Sequence, residues 1–198
     1  MSKLLFELTS DRRALLEQLL KEREGAGTPA AAIPRRQGRD PSPLSFAQQR
    51  LWFLAQLVPD NPFYNISLAL RYRTWLNVPV LEQSINELVQ RHESLRTSFI
   101  AKDGNPQQQI APSVAVPLPL LDLREVPASV REAEALRLAT EEARQPFDLA
   151  QAPLLRTTLI QVGEADYVFL LTMHHIVSDG WSMQVFAREL AELYAAFA

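Results

Sequence analysis

Two histidines stand side by side in the stretch MHHIVSDGWS, residues 173–182, and the 198-residue chain holds 3 histidines in all. An imidazole titrates near ~6.5 in water, so it can take up and return a proton near neutral pH. Successive side chains on a strand point to opposite faces. His174 and His175, at what reads as a strand end, therefore cannot easily ligate one metal together. Metal-binding pairs sit a helical turn apart or alternate along a strand, and no HExxH pattern occurs, so no zinc site is expected. One histidine should face the core and the other a cleft; the alternative is that both satisfy buried hydrogen bonds at the strand end. Asp179 could orient an imidazole, cap the next helix or meet an arginine. Gly180 leaves a bare backbone near a helix N-terminus, where amides let a substrate approach closely or stabilise an oxyanion. Ser178 and Ser182 read as caps rather than nucleophiles.

Other chemistries find no support in the chain. There is no GxSxG elbow and no glycine-rich phosphate loop. Cysteine is absent, which excludes disulfides and thiolate metal sites. The paired carboxylates Glu141 and Glu142 belong to a solvated helix face. A net charge of −3 gives no general attraction to nucleic acid or to anionic membranes. The N-terminal MSKLLFELTSD lacks the longer apolar run of a signal peptide. The apolar run YVFLLTM falls far short of the ~20 residues that span a bilayer. A soluble, cytoplasmic protein is expected.

The elements that must position the histidines follow from periodicity. Residues 11–24, DRRALLEQLLKERE, carry a leucine stripe at helical spacing. Residues 25–43 are rich in glycine, proline and alanine and read as a linker. From Leu44 the pattern is that of a mixed α/β domain. Ser45 caps a first helix, SFAQQRLWFLAQL, and YNISLALRYR is a strand. Asn77 caps a helix with Pro79 in its first turn, running through LEQSINELVQRHE. SLRTSFI is a strand and KDGNP a turn. QQQIA and VAVPLPLLDL are weaker, proline-limited strands. Residues 128–145 form an amphipathic helix. LLRTTLIQV and YVFLLTMHH are two strands joined by GEAD. SMQVFARELAELYAAFA is a helix reaching the last residue without a C-cap glycine, so an enzyme built on this chain alone reads as incomplete.

Three stretches in this order give the chain a resemblance to the condensation domains of nonribosomal peptide synthetases. LSFAQQRLWFL (44–54) looks like the family's opening motif, RHESLRTSF (91–99) like its second, and MHHIVSDGWS like its HHxxxDG active-site motif. PFYNI, RQPFDL and APLLRTTL resemble its connecting segments, while RYRTWLN (71–77) departs from it, with Thr74 and Trp75 where relatives carry a glycine-containing turn. The resemblance implies a chloramphenicol acetyltransferase-like α/β fold (an α+β sandwich) of two lobes with a tunnel between them. Only the N-terminal lobe is matched here: 1–24 a helical segment, 25–43 a linker, 44–198 the lobe. It also implies peptide-bond formation, in which an amine on an acceptor carrier protein attacks a donor thioester, and wording of the type that joins two L-residues. Non-catalytic docking, or another carrier- or CoA-dependent acyltransfer, is the alternative.

The same resemblance implies the partners and the roles. The partners are upstream and downstream peptidyl or acyl carrier proteins and adjacent synthetase modules. No cofactor is bound directly, since substrates ride on the carriers' phosphopantetheine arms. His175 would act on the attacking amine as a general base or by positioning it, and Gly180 would keep the tunnel floor open or offer its N–H to the oxyanion. His174 and Asp179 would be structural, Asp179 pairing with an arginine of the second lobe. Trp181 and Ser182 complete the motif. Arg91, His92 and Arg96 would organise a helix-to-strand junction, and Gln48, Arg50 and Trp52 would pack.

Overall fold

The computed structural model describes residues 41–198. The helix expected at 11–24 and residues 25–40 of the linker lie outside the described residues. The first described element, β1 (Ser42–Pro43), falls in the stretch read as linker and pairs with a later strand. Helix α1 (Phe46–Leu57) starts at the Ser45 cap, whose side chain accepts from the Gln48 N–H while Gln48 reaches back to the Ser45 N–H. Then come β2 (Asn65–Tyr72) and α2 (Val78–Arg91), the latter capped by Asn77 with proline in its first turn. Strands β3 (Thr97–Lys102) and β4 (Asn105–Ile110), the short β5 (Leu120–Asp122), and α3 (Ala128–Arg144) follow. Long antiparallel strands β6 (Leu155–Gly163) and β7 (Asp166–His174) lead into α4 (Gly180–Phe197).

Two sheets result, as expected of an α/β lobe. One is mixed, in the order β2-β7-β6-β5, antiparallel except for the parallel β5–β6 pair. The other is antiparallel, in the order β1-β4-β3. Three expectations shift. The segment read as one strand from Ser94 begins as a 3-10 turn (Glu93–Arg96), because the α2 chain must reverse before β3 can pair. Helix α2 accordingly stops at Arg91. Of VAVPLPLLDL only Leu120–Asp122 pairs, since Pro117 and Pro119 offer no N–H to a ladder.

Strand β7 is buried on both faces and its alternation sorts the core. Tyr167, Phe169, Leu171 and Met173 pack with Ile85, Leu88, Phe186 and Leu190 of α2 and α4. Leu170 and half-buried Val168 pack on the other face with Ala135 and Leu138 of α3. A third cluster joins Leu44, Phe99, Leu149, Leu154 and Ile176, with Trp52 of α1 against it. Arg71 of β2 clamps Asp166 of β7 and Glu132 of α3 at 2.6–3.0 Å, yet such exposed pairs contribute ~0–1 kcal/mol. Burial dominates. Phe169 is 1% exposed, so Phe169→Ala should cost ~3–5 kcal/mol in urea or thermal unfolding.

Candidate functional site at the end of β7

The site is the passage from β7 to α4. Strand β7 ends at His174, one residue before the sequence pattern suggested, and His175 opens a turn. The alternation still carries through it. His174 is 3% exposed, whereas His175 is open to solvent. Backbone bonds fix both: the His174 N–H donates to Leu154 O at 3.0 Å and the His175 N–H to Tyr64 O at 2.8 Å.

The hydrogen bonds set opposite tautomers. His174 Nδ1 accepts from the Ile176 N–H at 3.1 Å, so its ring proton sits on Nε2. His175 Nδ1 lies 2.8 Å from the Ser178 carbonyl, which only accepts, so this nitrogen carries the proton. The neutral His175 ring then presents the Nε2 lone pair. The rings of Tyr64 and Phe147 flank His174 at 6.3 and 6.2 Å, and Arg156 lies 3.9 Å over Phe147. Burial, with a smaller contribution from neighbouring His175, pulls the His174 pKa down to about 4.

Asp179 caps α4. Its Oδ1 accepts from the Ser182 N–H at 2.8 Å and the Ser182 hydroxyl at 2.7 Å. These bonds, the backbone one foremost, hold its carboxyl below the usual range. Of the three options open for Asp179, the described residues realise the cap. Gly180 is the first residue of α4, and a Cβ built on it would meet nothing within 4 Å. Trp181 is 76% exposed beside it. Ser182 is the cap's partner, and Ser178 is buried.

The other motifs reach this passage from behind. Gln48 of α1 donates to Ile176 O at 3.4 Å, and Ile176 is a member of the α1-facing cluster. His92 Nε2 lies 2.9 Å and Arg91 Nη1 3.2 Å from Glu189 Oε2, tying the end of α2 to α4. Both partners, His92 foremost, keep the Glu189 carboxyl low. Arg96 is 8% exposed and donates to Ala111 O at 2.5 Å, holding the 3-10 turn to the end of β4. Arg91, His92 and Arg96 thus make their contacts around the helix-to-strand junction. Sequence reasoning missed Tyr64, Phe147, Arg156 and Glu189. The first three lie in or beside the segments PFYNI, RQPFDL and APLLRTTL, but nothing in their types announces a backbone carbonyl or a ring edge. Among the described residues no three metal-ligating side chains come together, and no helix is long and apolar enough to cross a membrane.

Comparison with known proteins decides the family, since residues 39–198 match the condensation domain family. The chain belongs to that family. It is 50% identical over 182 residues to one of the linear gramicidin synthase proteins of Brevibacillus parabrevis, covering 91% of this chain and 2% of the relative. It is 46% identical over 190 residues to phosphinothricin tripeptide synthetase PhsC of Streptomyces viridochromogenes, covering 96% and 17%. The starter condensation domain of rhizomide synthetase RzmA superposes with a TM-score of 0.73 at 30% identity, over 79% of this chain and 39% of that one. The first condensation domain of the calcium-dependent antibiotic synthetase does so with 0.71 at 29%, over 80% and 38%. The chain thus spans about two-fifths of the solved condensation domains and a far smaller share of the synthetases.

The buried His174 yields a pH signature. Its folded pKa of about 4 lies below the 6.5 of a free imidazole, so the unfolded chain binds the extra proton first. The stabilisation is complete above 6.5 and is lost as pH falls from there toward 4, on the order of 3 kcal/mol in total. His174→Asn keeps an acceptor for the Ile176 N–H and removes the titration. Urea midpoints between pH 4 and 6.5 should fall less steeply for this variant than for the parent.

Proposed function

We propose that this condensation-domain lobe carries the proton-handling group for amide-bond formation between carrier-bound substrates, and that the group is His175. The observation behind this reading is the anchored ring. Nδ1 is spent on Ser178 O at 2.8 Å while the ring stays open to solvent, which leaves Nε2 as an acceptor. In the reaction the amine nitrogen of the acceptor adds to the donor thioester carbonyl and the C–N bond forms. Nε2 takes the proton released by that nitrogen. The C–S bond breaks, and the thiolate of the donor's phosphopantetheine arm leaves and is protonated by the imidazolium. Aminolysis of a thioester is favourable, so holding the amine in line contributes alongside the proton transfer.

The remaining roles follow. Gly180, at the start of α4, offers an unobstructed backbone to the reacting carbonyl. His174 and Asp179 are architectural, through the turn and the cap. The reaction is of the type that joins two L-residues and takes place in the cytoplasm. The lobe spans 44–198, and a second lobe closes the tunnel. The partners are upstream and downstream carrier proteins of adjacent modules.

The test is single-turnover condensation between two loaded carrier proteins, in a complete two-lobe domain that carries these residues. His175→Ala should lower the rate by roughly 10²–10⁴-fold, the range of a general base. Undiminished turnover would remove His175 from the chemistry. Gly180→Ala should leave the unfolding midpoint unchanged, because its Cβ meets open space, and yet slow condensation. An unchanged rate would assign Gly180 no part in the approach to the carbonyl.

A further inference from the structure

A cleft of about 400 Å³ opens between the end of α1, β3 and the segment that follows α3, bordered by Trp52, Asp60, Phe99, Phe147, Asp148 and His174. That volume falls among small-molecule sites, roughly 300–1,000 Å³. His174 is 3% exposed, and its one side-chain hydrogen bond among the described residues is the Ile176 N–H on Nδ1. The ring proton therefore sits on Nε2 without an acceptor. The sealed polar atoms that lack a partner among the described residues are Asn65 Oδ1, Arg96 Nε and Ser178 Oγ. Nε2 is not one of them, so this donor keeps accessible surface, and the cleft is the space its ring borders. A donor held in a buried wall is costly unless an acceptor is brought to it.

The wall selects the acceptor. Burial keeps the His174 ring neutral above about 4, so Nε2–H is an uncharged donor. Among the described residues the cleft is bordered by two carboxylates, Asp60 and Asp148, and by no lysine or arginine. Phosphate and carboxylate ligands are disfavoured there by like charge. Trp52, Phe99 and Phe147 offer apolar faces. We propose that this cleft binds an uncharged amide flanked by an apolar side chain, the pattern of an interior peptide residue, with the amide carbonyl accepting from His174 Nε2–H and the side chain lying among Trp52, Phe99 and Phe147. The two adjacent histidines then serve two separate sites. Binding also braces the turn, because the Ile176 N–H hangs from the other nitrogen of the same ring. The site stands on the cleft and the free donor, and not on the role given to His175.

The test is a titration of the full 198-residue chain, isotope-labelled for NMR, with N-acetyl-leucinamide. The signals of the His174 ring, Trp52 and Phe147 should shift saturably, in the millimolar range of so small a ligand. N-acetyl-leucine, the same body ending in a carboxylate, and N-acetyl-glycinamide, the amide without the side chain, should both bind more weakly. His174→Asn keeps an acceptor for the Ile176 N–H but no donor at the Nε2 position. It should weaken binding roughly three- to ten-fold, the range one neutral hydrogen bond supplies. Ala150→Trp, which adds bulk at the exposed rim, should abolish the saturable shifts. Absent or non-saturating shifts in the parent chain overturn the site. Equal affinity for the carboxylate, or for the glycinamide, overturns the assigned ligand chemistry. Unchanged affinity in folded His174→Asn removes the donor from the site. Should that variant fail to fold, unchanged affinity in Ala150→Trp decides against the cleft. No turnover enters the measurement, so its failure would leave the reading of His175 standing.

Discussion

A β-strand cannot turn two consecutive side chains to the same side, and the step from His174 to His175 is built on that constraint. Met173 and Leu171 face α2 and α4, so the residue two places on emerges on that face. Leu170 faces α3, so His174 goes to the other side, among Tyr64 and Phe147. The strand ends at His174 itself, and the turn that follows lets His175 fold its ring back onto the Ser178 carbonyl. One ring accepts at Nδ1 and the other donates there. A single backbone geometry thus gives two adjacent imidazoles opposite tautomers and separate surroundings.

Everything else in the lobe steadies that turn. The Ile176 side chain sinks into the cluster with Leu44, Phe99 and Leu154, while Gln48 of α1 holds its carbonyl. Asp179 ends the turn by capping α4. Glu189, about two and a half turns along α4, meets Arg91 and His92 at the end of α2. The apolar burial carries most of this, at ~25 cal/mol per Å². The exposed ion pairs around it add little and chiefly fix register. The three motifs therefore converge on one passage of backbone, by different physics: apolar packing from the first, ion pairing from the second, capping within the third.

Much of this was legible in the chain. Ser45, Asn77 and the amphipathic patterns of 78–91 and 128–144 place helices because caps and periodicity are local properties. The β6–GEAD–β7 hairpin was legible for the same reason. The 3-10 turn at 93–96 was not, because SLRTSFI has strand-like composition and only the need to reverse after α2 bends its first half. At the site, residue types revealed the histidines and left Asp179 open among three roles. The partners that settle the two residues are backbone groups: the carbonyls of Leu154 and Tyr64 accept from their amides, the Ile176 N–H donates to the His174 ring, and the Ser178 carbonyl accepts from the His175 ring. A carbonyl belongs to every residue, so no residue type signals it, and only the fold selects which ones are used.

The charge arrangement favours a single proton acceptor in the proposed reaction. His174 is kept neutral by burial and by the proximity of His175. A proton arriving on His175 therefore meets no positive neighbour across the peptide. It meets instead the Asp179 carboxylate, whose ionised state is favoured by Ser182 and, more weakly, by positive charge on His175. That attraction is mutual, as Coulombic coupling must be. It acts at a helix N-terminus, where the aligned amides of α4 offset the carboxylate's own charge. The pair of histidines thus offers one exposed ring beside a buried, neutral support. A second exposed, protonatable ring would repel the first at the moment the amine gives up its proton.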